Sequence, residues 1–310
     1  MHFKQLDLNL LVALDALLSD RSITAAGVRM HLTQSAMSGA LSRLREYFGD
    51  ELLVQIGRKM VPTPLGESLA GPVREILLQV KATIDTKPGF DPALSKRRFS
   101  LMMSDYVSTV LMSEIIRQAE RLAPQVQFEI VSNDVGNPPE FLDRADVDFL
   151  IMPKHYLSEQ HPQELLYLDD HACIVWSDNP LVGETLSKEQ YLELGHVVMQ
   201  FGRGRTPAID EYFLTKIGVA RRIEVVAMSF SSIPLHVVGT RRIATVQRRL
   251  ADFYTRYLPV RVLPSPFELP QLAEAIQWHS RFDQDPGNRW LRDLIKAVAS
   301  TSIHTKGEGA

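Results

Sequence analysis

The chain has 310 residues, 45% hydrophobic and 23% charged, which is enough for two or three domains with a full core and excludes a disordered or fibrous polypeptide. A formal net charge of −3 excludes binding to polyanions over the whole surface, so any nucleic-acid contact must be local. The single cysteine, Cys173, excludes a disulfide framework and a thiolate metal cluster, and no cofactor is expected.

The first ten residues lack a basic stretch followed by an apolar one, and no apolar run is long enough to span a bilayer, which predicts a cytoplasmic protein with no membrane partner. Asp7 caps a first helix carrying Leu10, Leu14, Leu17 and Leu18. Ser22 caps a short helix to Met30, and after the turn at His31 and Leu32, Thr33 caps a helix from Gln34 to Phe48. At about 100° per residue, Ala36, Met37, Ala40, Leu41, Leu44, Tyr47 and Phe48 of that helix fall in an apolar arc of roughly 140°. Gln34, Ser35, Ser38, Gly39, Ser42, Arg43, Arg45 and Glu46 fill the rest, with small or hydrogen-bonding side chains near the start. Such a face lets the helix approach another surface closely. The pair reads as a helix-turn-helix whose second helix enters the major groove, or as an ordinary helical hairpin; periodicity alone does not separate them. Local charge favours the first, since Arg21, Arg29, Arg43, Arg45, Arg58 and Lys59 face only Glu46, Asp50 and Glu51 between positions 21 and 59.

Residues 51–62 read as a hairpin turning at Gly57 and Arg58, which makes a wing. Arg58 at its tip is placed to reach phosphate or the minor groove, or it is a solvated turn residue. Thr63 and Pro64 open a longer helix whose Leu65, Leu69, Val73, Ile76, Val80 and Ile84 step by three or four. Leu69, Val73, Ile76 and Val80 are its candidate dimerisation residues, and Pro72 should kink it. It ends before the Pro/Gly-containing stretch 87–92.

From Arg98 the period changes. Strands at 99–104, 127–131 and 147–152 alternate with helices at 108–123 and 138–144, a βαβαβ unit with parallel strands. Further strands are expected at 172–176, 196–200, 222–226 and 243–246, helices at 207–217 and 231–239, then a last strand at 273–278 and a closing helix at 290–299. Two α/β lobes with a late return strand imply a cleft between them.

The motifs Leu8-Asn9-Leu10-Leu11, Ser22-Ile23-Thr24-Ala25-Ala26, Leu32-Thr33-Gln34-Ser35-Ala36-Met37-Ser38, Leu41-Ser42-Arg43-Leu44-Arg45 and Pro62-Thr63-Pro64 resemble those of LysR-type transcriptional regulators. The resemblance extends over nearly the whole chain. Leu69 to Glu75, Val147 to Pro153, Gly195-His196-Val197, Arg222 to Val226 and Gln277-Trp278 are similar to the branch of nodulation regulators and regulators of aromatic degradation. It implies an α+β multidomain protein: a winged helix-turn-helix (1–63), a dimerising linker helix (64–87), a hinge linker (88–97), and a periplasmic-binding-protein-like effector domain (98–300). Lobe I of that domain covers about 98–168 and 270–300, and lobe II about 169–269; the tail 301–310 is expected to be disordered. The implied partners are operator DNA, RNA polymerase, a small aromatic effector and further copies in a homodimer or homotetramer. Carried over by position, Thr33, Gln34, Ser35, Ser38 and Arg43 lie in the DNA-reading helix and Arg58 on the wing. Gln34 is suited to bidentate contact with adenine. Two residues depart from the family pattern: Ser35 and Gln247 stand where proline is usual.

Ligands of open α/β sheets bind beyond the carboxyl ends of the strands. That places Ser104, Asp105 and Tyr106, the segment 200–206 with Phe201 and Arg205, and Phe230 to Ser232 at the cleft; the resemblance adds His171 and Arg249. Ser104 can donate to a phenol or carboxylate, Arg249 can neutralise an anion or pair with Asp252 in its own helix, and Tyr106 and Phe230 can pack on a ring. His171 and Phe230 serve equally well as core residues. The implied function is an activator of phenol, chlorophenol or hydroxybenzoate degradation, the alternative a flavonoid-responsive nodulation-type regulator. An enzyme is disfavoured, since His-Glu-x-x-His, Gly-x-x-x-x-Gly-Lys and Gly-x-Ser-x-Gly motifs are missing. A solute-binding protein without DNA activity has no use for residues 1–65.

Overall fold

The computed structural model describes residues 6–57, 59–85, 89–132, 137–202 and 204–301, with 81, 82, 84 and 85 by backbone alone. The chain divides into two compact units, Met1–Lys87 and Pro88–Ala310.

The first unit starts with α1 (Leu8–Asp20), whose first turn is capped by the Asp7 carboxylate accepting from Asn9 N–H at 2.9 Å. Ser22 caps α2 (Ile23–Arg29) and Thr33 caps α3 (Gln34–Phe48), each side-chain oxygen accepting a backbone N–H at 3.2 Å. Leu14, Leu17, Ala26, Met37, Leu41 and Leu44 bury the apolar faces of the three helices against one another. The wing is an antiparallel pair, β1 (Leu53–Ile56) and β2 (Lys59–Pro62), with Ile56 opposite Lys59. The long helix α4 (Pro64–Asp85) continues through Pro72. One carboxylate ties it to the wing. Asp50 accepts from Leu52 N–H and Thr63 O–H, both at 2.6 Å, and Thr63 Oγ1 accepts from Gly66 N–H at 3.0 Å. Gly66 is obligatory in this knot, since a Cβ there would lie 2.3 Å from the Leu52 carbonyl oxygen.

The second unit holds two sheets. Chain order runs β3 (Arg98–Met103), α5 (Asp105–Val107), a π-helical turn (Ser108–Met112), α6 (Ser113–Leu122), β4 (Gln127–Ser132), α7 (Pro138–Asp143), β5 (Phe149–Pro153) and β6 (Gln163–Asp169). It then passes through Asp170 to β7 (His171–Trp176), α8 (Lys188–Glu193), β8 (Gly195–Phe201), β9 (Thr206–Pro207), α9 (Ile209–Lys216), β10 (Arg222–Ala227), a 3₁₀ turn (Phe230–Ser232), α10 (Ile233–Val237), β11 (Ile243–Gln247), α11 (Arg248–Tyr254) and β12 (Val260–Pro264). Finally β13 (Leu272–Trp278) returns to the first sheet and α12 (Pro286–Thr301) closes the unit. The first sheet has the order β4-β3-β5-β13-β6 and the second β10-β8-β11-β7-β12, with β9 paired to β8. Strands β3, β4 and β5 are parallel, as are β8, β10 and β11, whereas β13 and β7 run antiparallel to their neighbours. The carboxyl ends of β3, β5, β8 and β11 and the Asp170 crossover therefore gather at one seam between the sheets.

Several elements differ from expectation. Strands β6 and β12 and helices α8 and α11 escape the apolar patterns, because β6 exposes Leu165 and Leu168 while burying Leu166 and Tyr167, and a register shift at Glu274/Ala275 of β13 accommodates that sequence. The helix expected over 231–239 is a 3₁₀ turn plus the five-residue α10. The expected hinge linker is in part fixed to the sensor: Phe90 packs on Trp290 at 5.2 Å between ring centroids, and Arg97 pairs with Asp285. Its residue 88, residues 86 and 87 of the expected linker helix, and the expected tail beyond Thr301 lie outside the described residues.

Candidate nucleic-acid interface and effector cleft

In the first unit α3 exposes Gln34, Ser35, Ser38, Gly39, Ser42 and Arg43 while Met37, Ala40, Leu41 and Leu44 are buried. Thr33 is spent as the cap, and its hydroxyl lies 3.0 Å from that of Ser35. These side chains can donate and accept along a single exposed face with no bulky residue in the way, which is the geometry a groove-reading helix requires. Arg45, on the same helix, is not part of that face. Its Nε donates to Glu51 O at 2.9 Å and its Nη2 to Leu53 O at 2.7 Å, which bolts α3 to the start of the wing. Arg58, the expected wing-tip contact, lies outside the described residues.

The candidate dimerisation set splits. Val73 is 4% exposed and packs into the helical core of its own unit, and Leu69 packs against that core. Val73 is thus committed to its own head, while Leu69 is half-buried. Ile76 and Val80, by contrast, are 49% and 43% exposed. The reason is that α4 uses one stripe to hold the head, where Arg74 also donates to Asp15 at 3.3 Å and Ser19 at 3.0 Å, and leaves the neighbouring stripe uncovered.

In the second unit the expected cleft residues meet at the seam. Ser104 caps α5, accepting from Val107 N–H at 3.3 Å. Asp105 reaches across: its carboxylate accepts from Ser231 N–H at 2.6 Å and Phe230 N–H at 3.3 Å. Phe230 lies edge-to-face with Phe201 at 5.8 Å. Tyr106 does not present its ring to a ligand. It is 2% exposed, and its hydroxyl donates to Asp169 at 2.5 Å. Burial, reinforced by Tyr167 and Asp169, pushes its pKa well above the usual phenol value. The Asp169 carboxylate also accepts from Arg249 N–H at 3.3 Å. Burial raises it to about 6, against the opposing pull of Tyr106 and Arg249.

Asp252, the in-helix alternative for Arg249, pairs with Arg248 at 2.8 Å. The Arg249 guanidinium lies instead over the Tyr167 ring, 4.0 Å from its centroid. His171 stands at the crossover opposite Gln247, and burial lowers its pKa. Gln247, a departure from the family pattern, is 4% exposed, with an amide oxygen that meets no donor among the described residues. Arg205 is exposed in a left-handed conformation on the turn after β8. Cys173 is fully buried, and burial pushes its thiol to about 12, as befits a packing residue.

Two residues of the seam are missing from the sequence reading. Asp169 ends β6, and Glu274 in β13 is 1% exposed, with neither carboxyl oxygen hydrogen-bonded among the described residues. Burial, with Asp169 nearby, raises Glu274 to about 8, so it carries a proton at neutral pH. A signal existed: Glu274 interrupts the otherwise apolar run Leu272-Ala273-x-Ala275-Ile276.

Comparison with known proteins follows this division. The model of the bacterial regulatory helix-turn-helix protein, lysR family, matches residues 8–67, and that of the LysR substrate binding domain matches 92–300. Nodulation protein D 1 of Bradyrhizobium sp. (strain NC92) is 43% identical over 306 residues, covering 98% of this chain and 97% of that one. A probable transcriptional regulator from Pseudomonas aeruginosa superposes with a TM-score of 0.65 at 24% identity, covering 95% of this chain and 98% of its own. Full-length OxyR from the same organism gives 0.70 at 17% identity with 100% of both chains covered. These two structures share the fold.

Proposed function

Because the chain belongs to the lysR family of bacterial transcriptional regulators, we propose that it is a nodulation-type activator that binds operator DNA through α3 and takes a neutral, hydroxylated aromatic of the flavonoid class at the seam between its two sheets. The observation that carries this reading is the 43% identity to a nodulation protein D over 98% of the chain, head and sensor alike. It favours the nodulation reading over aromatic degradation.

The chemistry of the seam points the same way. Asp105 and Asp169 bring two carboxylates to it, which repel an aromatic carboxylate such as hydroxybenzoate, while the protonated Glu274 adds no charge. A hydroxyl donor meets acceptors there, among them the Gln247 amide oxygen. Phe201, half-buried and edge-to-face with the buried Phe230, offers an apolar surface for a ring. A ligand preferring one arrangement of the sheets shifts their equilibrium, and two or four copies joined through the Ile76 and Val80 stripe transmit the shift to the DNA and to RNA polymerase.

DNase footprinting of the full-length protein on its own promoter tests this, with the flavanone naringenin, phenol and 4-hydroxybenzoate added separately. The expected result is a protected palindromic site whose pattern changes with naringenin. No protection, or a change with 4-hydroxybenzoate alone, overturns the reading.

A further inference from the structure

Asp105 makes a direct polar link between the elements that flank the two sheets. It opens α5 immediately after β3, and its carboxylate holds the backbone of Phe230 and Ser231, the latter 126 residues away. Around this link a hydroxyl relay repeats the connection. Thr109 O–H donates to Asp105 O at 2.8 Å, its oxygen lies 2.9 Å from Ser231 Oγ, and Ser231 Oγ lies 3.4 Å from Asp105 O. Hydrogen bonds to an ionised acceptor are about twice as strong as neutral ones. The second polar link across the seam, Tyr106 to Asp169 to Arg249 N–H, is anchored on the last residue before the crossover, where one sheet turns into the other. Rotation of the sheets moves atoms least at such a pivot. The Asp105 link joins α5 to the 3₁₀ turn Phe230–Ser232, neither of which belongs to the crossover, so a rotation that separates these two elements has to stretch it.

We propose that Asp105 is a positioning residue of the effector response: its carboxylate fastens the second sheet to the first, and the sheet displacement that carries the signal breaks this fastening. The inference rests on the reading that an effector acts at this seam. A fastening that exists in one arrangement alone lowers the population of the other, and the apparent affinity of any ligand for that other arrangement falls by the same factor.

Full-length Asp105→Asn keeps the side chain's size and an acceptor oxygen while losing the charge. Three readouts decide: hydrogen exchange of the peptide Met228–Leu235, transcription from the target promoter without ligand, and the naringenin concentration giving half response. The expected result is faster exchange at Phe230 and Ser231, raised output without ligand and a half-response concentration about tenfold lower. Thr109→Val, which removes the relay and leaves the carboxylate, shifts each in the same direction by less, and it serves if Asp105→Asn fails to fold. Faster exchange with unchanged basal output and unchanged half response makes the contact merely structural and overturns the proposal; so does a higher half-response concentration. Should neither the parent protein nor the variants respond to naringenin, phenol or 4-hydroxybenzoate, the effector reading fails, and basal output still decides the fastening: raised output supports it and unchanged output overturns it.

Discussion

The DNA-reading helix and the sensor seam carry polar groups in opposite ways. On α3, Gln34, Ser35, Ser38 and Arg43 stand in water on one face, and the apolar face beneath them is conventional core. At the seam, Asp169, Tyr106 and Glu274 are buried, and each draws its properties from neighbours far along the chain. A surface that meets DNA can stay solvated until its partner arrives. Buried polar groups satisfied across the seam, in contrast, tie the side chains to one arrangement of the sheets. Substitutions should therefore separate binding from folding in the head and couple them in the sensor.

The largest effect is expected from Val73→Asp. An unpaired carboxylate inside the head core costs about 3–5 kcal/mol, enough to abolish cooperative melting of the first unit by circular dichroism. Ser38→Glu sits on the exposed face; it should leave the melt unchanged and abolish operator binding in a gel-shift assay, because a second negative surface meets phosphate. Ile76→Asp, at 49% exposure, should fold and yet dissociate the oligomer in sedimentation. If Val73→Asp melts normally, the head core is misassigned.

Glu274 provides the matching test in the sensor. Its pKa of about 8, against an ordinary 4.5, means that between those values the folded chain keeps a proton that the unfolded chain has released. Stability must therefore fall as pH rises from 4.5 to 8, with none of the penalty present below that window and all of it above. Glu274→Met removes the group at similar volume and should raise stability at pH 7 by roughly 3 kcal/mol. The unfolding midpoint in urea should lose most of its slope between pH 5 and 8. A weaker slope persists between 3.8 and about 6 from Asp169, whose pKa is raised in the same sense. An unchanged midpoint at pH 8 would place a counter-charge on Glu274.

How much of this was legible follows from the range of the interactions. Caps, turns and the α3 face depend on residues within four positions of one another, so Asp7, Ser22 and Thr33 identify their helices from sequence alone. The dimerisation stripe was half legible, because periodicity shows that α4 is amphipathic without showing that Val73 is already committed to its own head. Tyr106 illustrates the opposite limit. It sits where a ligand contact belongs, and what removes it is Asp169, 63 residues away.

The smallest effect concerns the two arginines that open α11. Spacing within the helix allows either to reach Asp252, and geometry gives the pair to Arg248, with both side chains more than a third exposed. Such a surface pair is worth about 0.3–0.5 kcal/mol, so Arg248→Ala should barely move the melting temperature and should weaken further with salt. Arg249→Ala loses the guanidinium over Tyr167, a partly buried cation–π contact worth about 1 kcal/mol. The Arg249 N–H to Asp169 survives, because it is backbone. What changes is the charge: with the guanidinium gone, Asp169 loses one of the influences holding its pKa down, so the acid-side slope of stability should shift toward higher pH in Arg249→Ala and stay in place in Arg248→Ala. Identical pH profiles for the two variants would mean that Arg249, like Arg248, acts as a surface residue and lies outside the seam's electrostatics.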